Sequence, residues 1–195
     1  KILFEAFSKD ELRRLKTSLM KIVVEKNVLK KMRRSETQGF QRVDGSIALE
    51  RSTWYHLSTN SCQQMFNTLI RIGEPMKEHT DNSFNPMTEA YIQEFSPYCR
   101  DIYHVLDDIA QMIRTNRYEN SEDVSQRAKD LKHKLAALRK EQTMRLHHKS
   151  GSLKMDFVYL NLIQESHELL SEVRNLLRGS IKLFAPYPEH KEKDN

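Results

Sequence analysis

Two acidic triplets fall on single faces of helix-period segments: Glu74, Glu78 and Asp81 at i, i+4, i+7, and Glu165, Glu168 and Glu172 at i, i+3, i+7. At 3.6 residues per turn each trio points one way. Asp101, His104 and Asp108 make a third set, and His79 and His167 stand beside the first two. Facing helices that each offer two carboxylates and an imidazole are how bundles hold iron, manganese or zinc. The six carboxylates of the first two trios are therefore candidate ligands for a divalent or ferric ion. The competing reading is a solvated face. With 30% of the chain charged, such trios arise freely and pair with Lys or Arg of a neighbouring helix. Neither trio has the Glu-x-x-His spacing of di-iron carboxylate bundles, which weighs against redox chemistry.

Other chemistry finds little footing. There is no Gly-x-Ser-x-Gly elbow, Gly-x-x-x-x-Gly-Lys loop or Gly-x-Gly-x-x-Gly turn. With five glycines in 195 residues, direct phosphate binding would need Arg side chains or a bridging metal. No residue is assigned as catalytic, and the chain reads as a non-enzyme.

From Ser52 to Ile70 no Asp, Glu, Lys or Arg occurs for nineteen residues. Neutral polar groups stand there among Trp54, Tyr55 and Phe66. A helix that avoids charge on every face is surrounded, by its own bundle or by a partner. The first case predicts a central helix with His56 as a hydrogen-bonded interior histidine, faced across the core by Asn161, Gln164 and Glu165. The second makes His56, Asn60, Gln63 and Gln64 a candidate interaction surface.

Charge is uneven. Residues 1–42 hold twelve Lys/Arg against five Asp/Glu, while the whole chain is +5. The cluster Lys30, Lys31, Arg33 and Arg34 could meet an anionic membrane face, nucleic acid or solvent. Without aromatic interleaving or a zinc-finger or RNP signature, nucleic acid is not expected as a partner. Cys62 and Cys99 lack Cys-x-x-Cys spacing and read as reduced, buried thiols. No apolar run approaches the roughly 18 residues of a membrane span. The start at Lys1-Ile2-Leu3-Phe4, without Met or signal pattern, reads as a fragment of a longer protein that is soluble by itself.

The elements that must position these residues are all helical. Ser8-Lys9-Asp10-Glu11 has the form of a capping box, opening a helix to about residue 37 with Leu12, Leu15, Leu19, Ile22 and Leu29 on one face. A second runs over 46–81, kinked at Pro75. After a turn at 82–86 a third runs to about 116 and is expected to pair with its predecessor. A fourth, capped by Asn120 or Ser121, carries a narrow seam of Val124, Ala128, Leu131, Leu135 and Leu138. After a break at 147–151 a fifth carries Phe157, Leu160, Ile163, Leu170, Val173, Leu177 and Ile181, and Pro186 and Pro188 stop it. The expected fold is an all-α, up-and-down bundle of about five long helices over 1–184, with a charged, disordered tail at 185–195.

Three strings carry a resemblance: Ser58-Thr59-Asn60-Ser61-Cys62-Gln63-Gln64, the run from Lys77 to Pro86, and Val158-Tyr159-Leu160-Asn161-Leu162-Ile163-Gln164-Glu165-Ser166. From about residue 10 to 184 the chain resembles the C-terminal extension of bacterial inorganic phosphate transporters of the PiT permease family. The resemblance implies a PhoU-like helical domain on the cytoplasmic face of the bacterial inner membrane. Its partner would be the membrane-spanning permease part of the same polypeptide, and it would sense, gate or anchor rather than transport. The basic first helix would lie near the anionic leaflet, consistent with positive charge inside. A homodimer is a further partner to consider. PhoU proteins bind metal through a repeated Glu-x-x-x-Asp, and only Glu119 and Asp123 fit it here, at a helix start where carboxylates serve the dipole. The family's ligands therefore do not carry over. Two other readings compete: a free-standing adaptor docking through the uncharged face of 52–70, and a metal-dependent hydrolase or oxidase, which would need the trios to converge on one ion.

Overall fold

Burial of one apolar stripe per helix organises the chain. The computed structural model describes residues 1–40, 46–148 and 153–184, so the expected tail and most of the 147–151 break lie outside the described residues. Six helices follow in order: α1 (Ile2–Ser8), α2 (Leu12–Phe40), α3 (Ser46–Asp81), α4 (Glu89–Thr115), α5 (Ser121–His148) and α6 (Leu153–Phe184). Among the described residues there is no strand. Five long helices match the periodicity. The sixth, α1, corrects the expected count.

The correction begins at Ser8. Its hydroxyl does not cap a following helix but donates back to Glu5 O at 3.0 Å. The amides of Asp10 and Glu11 close onto Phe7 O and Ala6 O, and Asp10 takes a left-handed φ of 56°. That is the closure expected at a helix end. The seven residues of α1 are too short to show a period, and they hold their place by burying Leu3, Phe4, Ala6 and Phe7.

α1 also changes the packing. Phe4 lies 5.3 Å from the ring of Phe95 on α4, and Phe7 meets the edge of His79 on α3 at 5.8 Å. Lys1 sits over Tyr103. α1 thus wedges between α3 and α4, so these two do not pack along their lengths as the short turn between them suggests. α3 instead packs chiefly on α6, α6 on α5, and α5 on α4, with α2 along the outside of α3. Contacts such as Lys16–Asp81, Arg71–Glu165, Arg127–Asp108 and, between α5 and α6, Lys132–Ser171 with Arg139–Gln164 make each of these pairs antiparallel. The alternation up and down therefore holds although the spatial order does not follow the chain.

The seam of α5 is as the spacing predicts: Val124, Ala128, Leu131, Leu135 and Leu138 are all buried. Pro75 lies inside α3 and Pro97 inside α4. Thr88 accepts from the Tyr91 amide at the start of α4, and Asn116 ends it in the left-handed region. On α6 the expected core position Phe157 is 60% exposed, whereas Tyr159 is fully buried.

Candidate functional site

The metal trios are in place on their helices but do not come together. Glu74 pairs with Lys77, Asp81 with Lys16 on α2 at 2.9 Å, and Glu78 is exposed. Glu165 pairs with Arg71 at 2.8 Å, Glu168 accepts from Gln164 at 2.9 Å, and Glu172 is half-buried on α6. Asp108 of the third set pairs with Arg127, and Asp101 and His104 are exposed. Among the described residues no three His, Cys, Asp or Glu side chains converge as ligands would. His79 turns away from its trio into the core, between Phe7 and Phe84, with Nε2 2.8 Å from Asn85 O. His167 lies 3.4 Å from Glu168. Glu119 is exposed, and Asp123 pairs with Arg127.

The uncharged stretch is the inner part of α3, flanked by α2 and α6. Ser58, Ser61 and Thr68 are buried, as a central helix requires. His56 is not: it is exposed, as is Asn60, which corrects the interior reading of that histidine. Gln63 accepts from Arg33 of α2, and Gln64 accepts from Asn67 at 3.2 Å. The expected contacts from α6 are met in part. Asn161 donates to Arg71 O at 2.9 Å, while Gln164 accepts from Arg139 on the α5 side. Both thiols are half-buried, and burial pushes each above its ordinary pKa.

A polar cluster joins α4, α5 and α6. Tyr91 stacks on Tyr159 with ring centroids 4.1 Å apart. The Tyr91 hydroxyl donates to Asp156 and accepts from Gln142 Nε2 at 2.9 Å. Tyr159 donates to Glu94 Oε2 at 2.6 Å, and Arg145 holds Glu94 in a two-pronged pair at 2.7 and 2.9 Å. Burial first, and then the Glu94 bond, push the Tyr159 phenol well above its ordinary pKa. Tyr91 is raised by burial and by its bond to Asp156. Each of these groups is answered by another member, which gives the cluster a role in fixing the register of three helices. One sequence signal for it existed: the seam of α5, continued by one step of four from Leu138, lands on Gln142, a fully buried polar residue.

The outer face of α2 is the feature best suited to a partner. Residues 12–34 carry nine Lys/Arg against Glu25 alone. Met20, Val24, Val28 and Met32 form a row at steps of four and are 68%, 53%, 45% and 51% exposed. The buried row, Leu15 and Leu19 with half-buried Ile22 and Leu29, lies against α3, so the exposed row points outward. Of the four residues in the basic cluster, Lys30, Lys31 and Arg34 are exposed, and Arg33 reaches back to Gln63. Among the described residues no helix is long and apolar enough to cross a membrane. No family model, curated protein or solved structure matches the chain.

Proposed function

We propose that this bundle is a non-catalytic regulatory or structural domain of an inorganic phosphate permease, PhoU-like in architecture, held against the cytoplasmic face of the bacterial inner membrane. The observation that carries the reading is the outer face of α2, where a row of exposed Met and Val is bordered by Lys21 and Lys31, with Lys30 and Arg34 exposed on the flank beyond it. A basic amphipathic helix lying on an anionic leaflet gains from apolar burial and from roughly 1 kcal/mol per Lys or Arg near the surface. The same face repels its own copy, so a dimer through α2 is disfavoured. The resembling strings add the identity of the partner: the string at 58–64 lies on α3 and that at 158–166 on α6, the two helices at the centre of the bundle. The adaptor reading has less to stand on, because α2 and α6 flank the stretch 52–70 and leave His56 and Asn60 outward.

Sedimentation with vesicles tests the membrane part. The protein is expected to pellet with phosphatidylcholine vesicles containing phosphatidylglycerol and to stay in solution with phosphatidylcholine alone. Lys21→Glu/Lys30→Glu/Lys31→Glu should abolish the pelleting at an unchanged circular-dichroism melt. For the permease part, phosphate uptake is measured in cells whose permease carries the wild-type or the charge-reversed bundle. Uptake altered several-fold supports the reading, and identical uptake rejects it.

A further inference from the structure

We propose that the groove between α5 and α6 binds a soluble polyanion carrying several phosphate groups. The groove has a volume of about 590 Å³, with Lys129 and Lys132 lining it from α5 and Arg174, Arg178 and Lys182 from α6. Among the described residues Glu122 is the single acidic one in its lining. Elsewhere between helices cations meet carboxylates or amides: Arg71 meets Glu165, Arg127 meets Asp108 and Arg145 meets Glu94, while Arg33 and Arg139 meet Gln63 and Gln164. Here they meet hydroxyls. Lys132 Nζ donates to Ser171 Oγ at 2.6 Å, and Arg174 Nε lies 3.5 Å from Ser125 Oγ.

Five cations facing one another over one carboxylate repel, and an anion between them turns that repulsion into attraction. With Nε turned to Ser125, the outer nitrogens of Arg174 keep the fork that suits a phosphate oxygen pair. The lining on α5 runs from Ser121 to Lys132, about 16 Å at 1.5 Å per residue. That length fits a row of phosphates better than one. No exposed large apolar side chain lines the groove, unlike the α2 face, which favours a ligand from solution over a lipid. The inference stands on this groove alone and does not depend on the permease reading.

Calorimetry on the full chain with inorganic tripolyphosphate tests it, with orthophosphate and sulfate as comparators. One site is expected, at least about tenfold tighter for tripolyphosphate than for either single anion. Lys132→Gln/Arg174→Gln should weaken it about a hundredfold, about tenfold per lost charge-assisted contact. Lys30→Gln/Lys31→Gln, which removes the same charge from α2, should change it less than about threefold, an amount that long-range charge alone accounts for. All four side chains are exposed or half-buried, so the melts should match the parent. Equal losses in the two pairs would mean diffuse attraction and overturn the site. So would an absence of tripolyphosphate binding, or binding only after removal of residues 185–195, whose Glu189, Glu192 and Asp194 would then be the occupant. Phosphatidylglycerol vesicles bound through Lys132 and Arg174 without tripolyphosphate binding would place the ligand on a lipid and overturn the soluble one.

Discussion

Tyr159→Ala is expected to destabilise the bundle by about 3–5 kcal/mol, the cost of removing a large, fully buried aromatic side chain. The ring is stacked on Tyr91 and edge-on to Phe95, so the space it leaves lies where α4 meets α6. Tyr159→Phe keeps the ring and removes only the bond to Glu94, which Arg145 still holds. It should cost about 1–2 kcal/mol. Denaturant melts separate the two: a Phe variant as unstable as the Ala variant would mean that the hydroxyl, not the ring, carries the site. The same residue predicts a pH dependence. Folding raises the Tyr159 and Tyr91 pKa values, so the contribution is fully present below the unfolded tyrosine value of about 10. Above it the unfolded chain releases protons that the folded chain retains, and stability falls as pH rises. A melt series through pH 9 to 11 should show that fall, and Tyr159→Phe should make it shallower, the rest coming from Tyr91, Tyr98, Tyr118 and the two thiols, whose pKa values folding also raises. An equally steep fall in the Phe variant would assign it to other groups.

The long helices were legible because each buries one stripe, and a stripe leaves a period. α5 shows this most clearly, with its seam buried at every expected position. α1 was illegible for the converse reason, since seven residues give no period to read. Its displacement of α3 from α4 then followed from two aromatic side chains, Phe4 and Phe7, whose partners lie 72 to 91 positions away. The polar cluster was hidden in the same way. Tyr91 and Asp156 are 65 residues apart, and no local spacing connects them. Only Gln142, a polar residue on an otherwise apolar seam, pointed there. His56 failed for a different reason: absence of charge marks a helix as surrounded without saying which of its faces is covered. The acidic trios share a helix face as read, and their salt partners Lys16 and Arg71 come from neighbouring helices, as the solvated-face reading expects; which cations they meet depends on packing that a single-helix pattern does not carry.

Gly179→Leu is expected to cost at least about 3 kcal/mol, at the upper end of overpacking in a filled interior, because α3 lies close against α6 at this glycine. A Cβ there would come inside 3.0 Å of Ser58 Oγ, with Ser58 N and Trp54 O next at 3.4 Å. Two opposed terms act in Gly179→Ala. Helix propensity favours Ala by about 1 kcal/mol, while the clash with a buried hydroxyl opposes it by about 1–3 kcal/mol. The net should be a modest loss. Ser58 supplies the discriminating measurement, because among the described residues its buried hydroxyl has no hydrogen-bond partner, and such a group costs about 1–3 kcal/mol. Ser58→Ala removes both that cost and the nearest obstacle, leaving contacts no shorter than 3.4 Å, which is ordinary van der Waals distance. The double variant Ser58→Ala/Gly179→Ala should therefore be more stable than the parent by about 1–2 kcal/mol, with the two changes strongly non-additive in a thermodynamic cycle. Additive effects would show that Ser58 and Gly179 do not meet, and that α3 and α6 cross elsewhere. Because this pair lies at the centre of the bundle while α2 and the α5–α6 groove lie to either side, the double variant should melt higher without changing vesicle or tripolyphosphate binding.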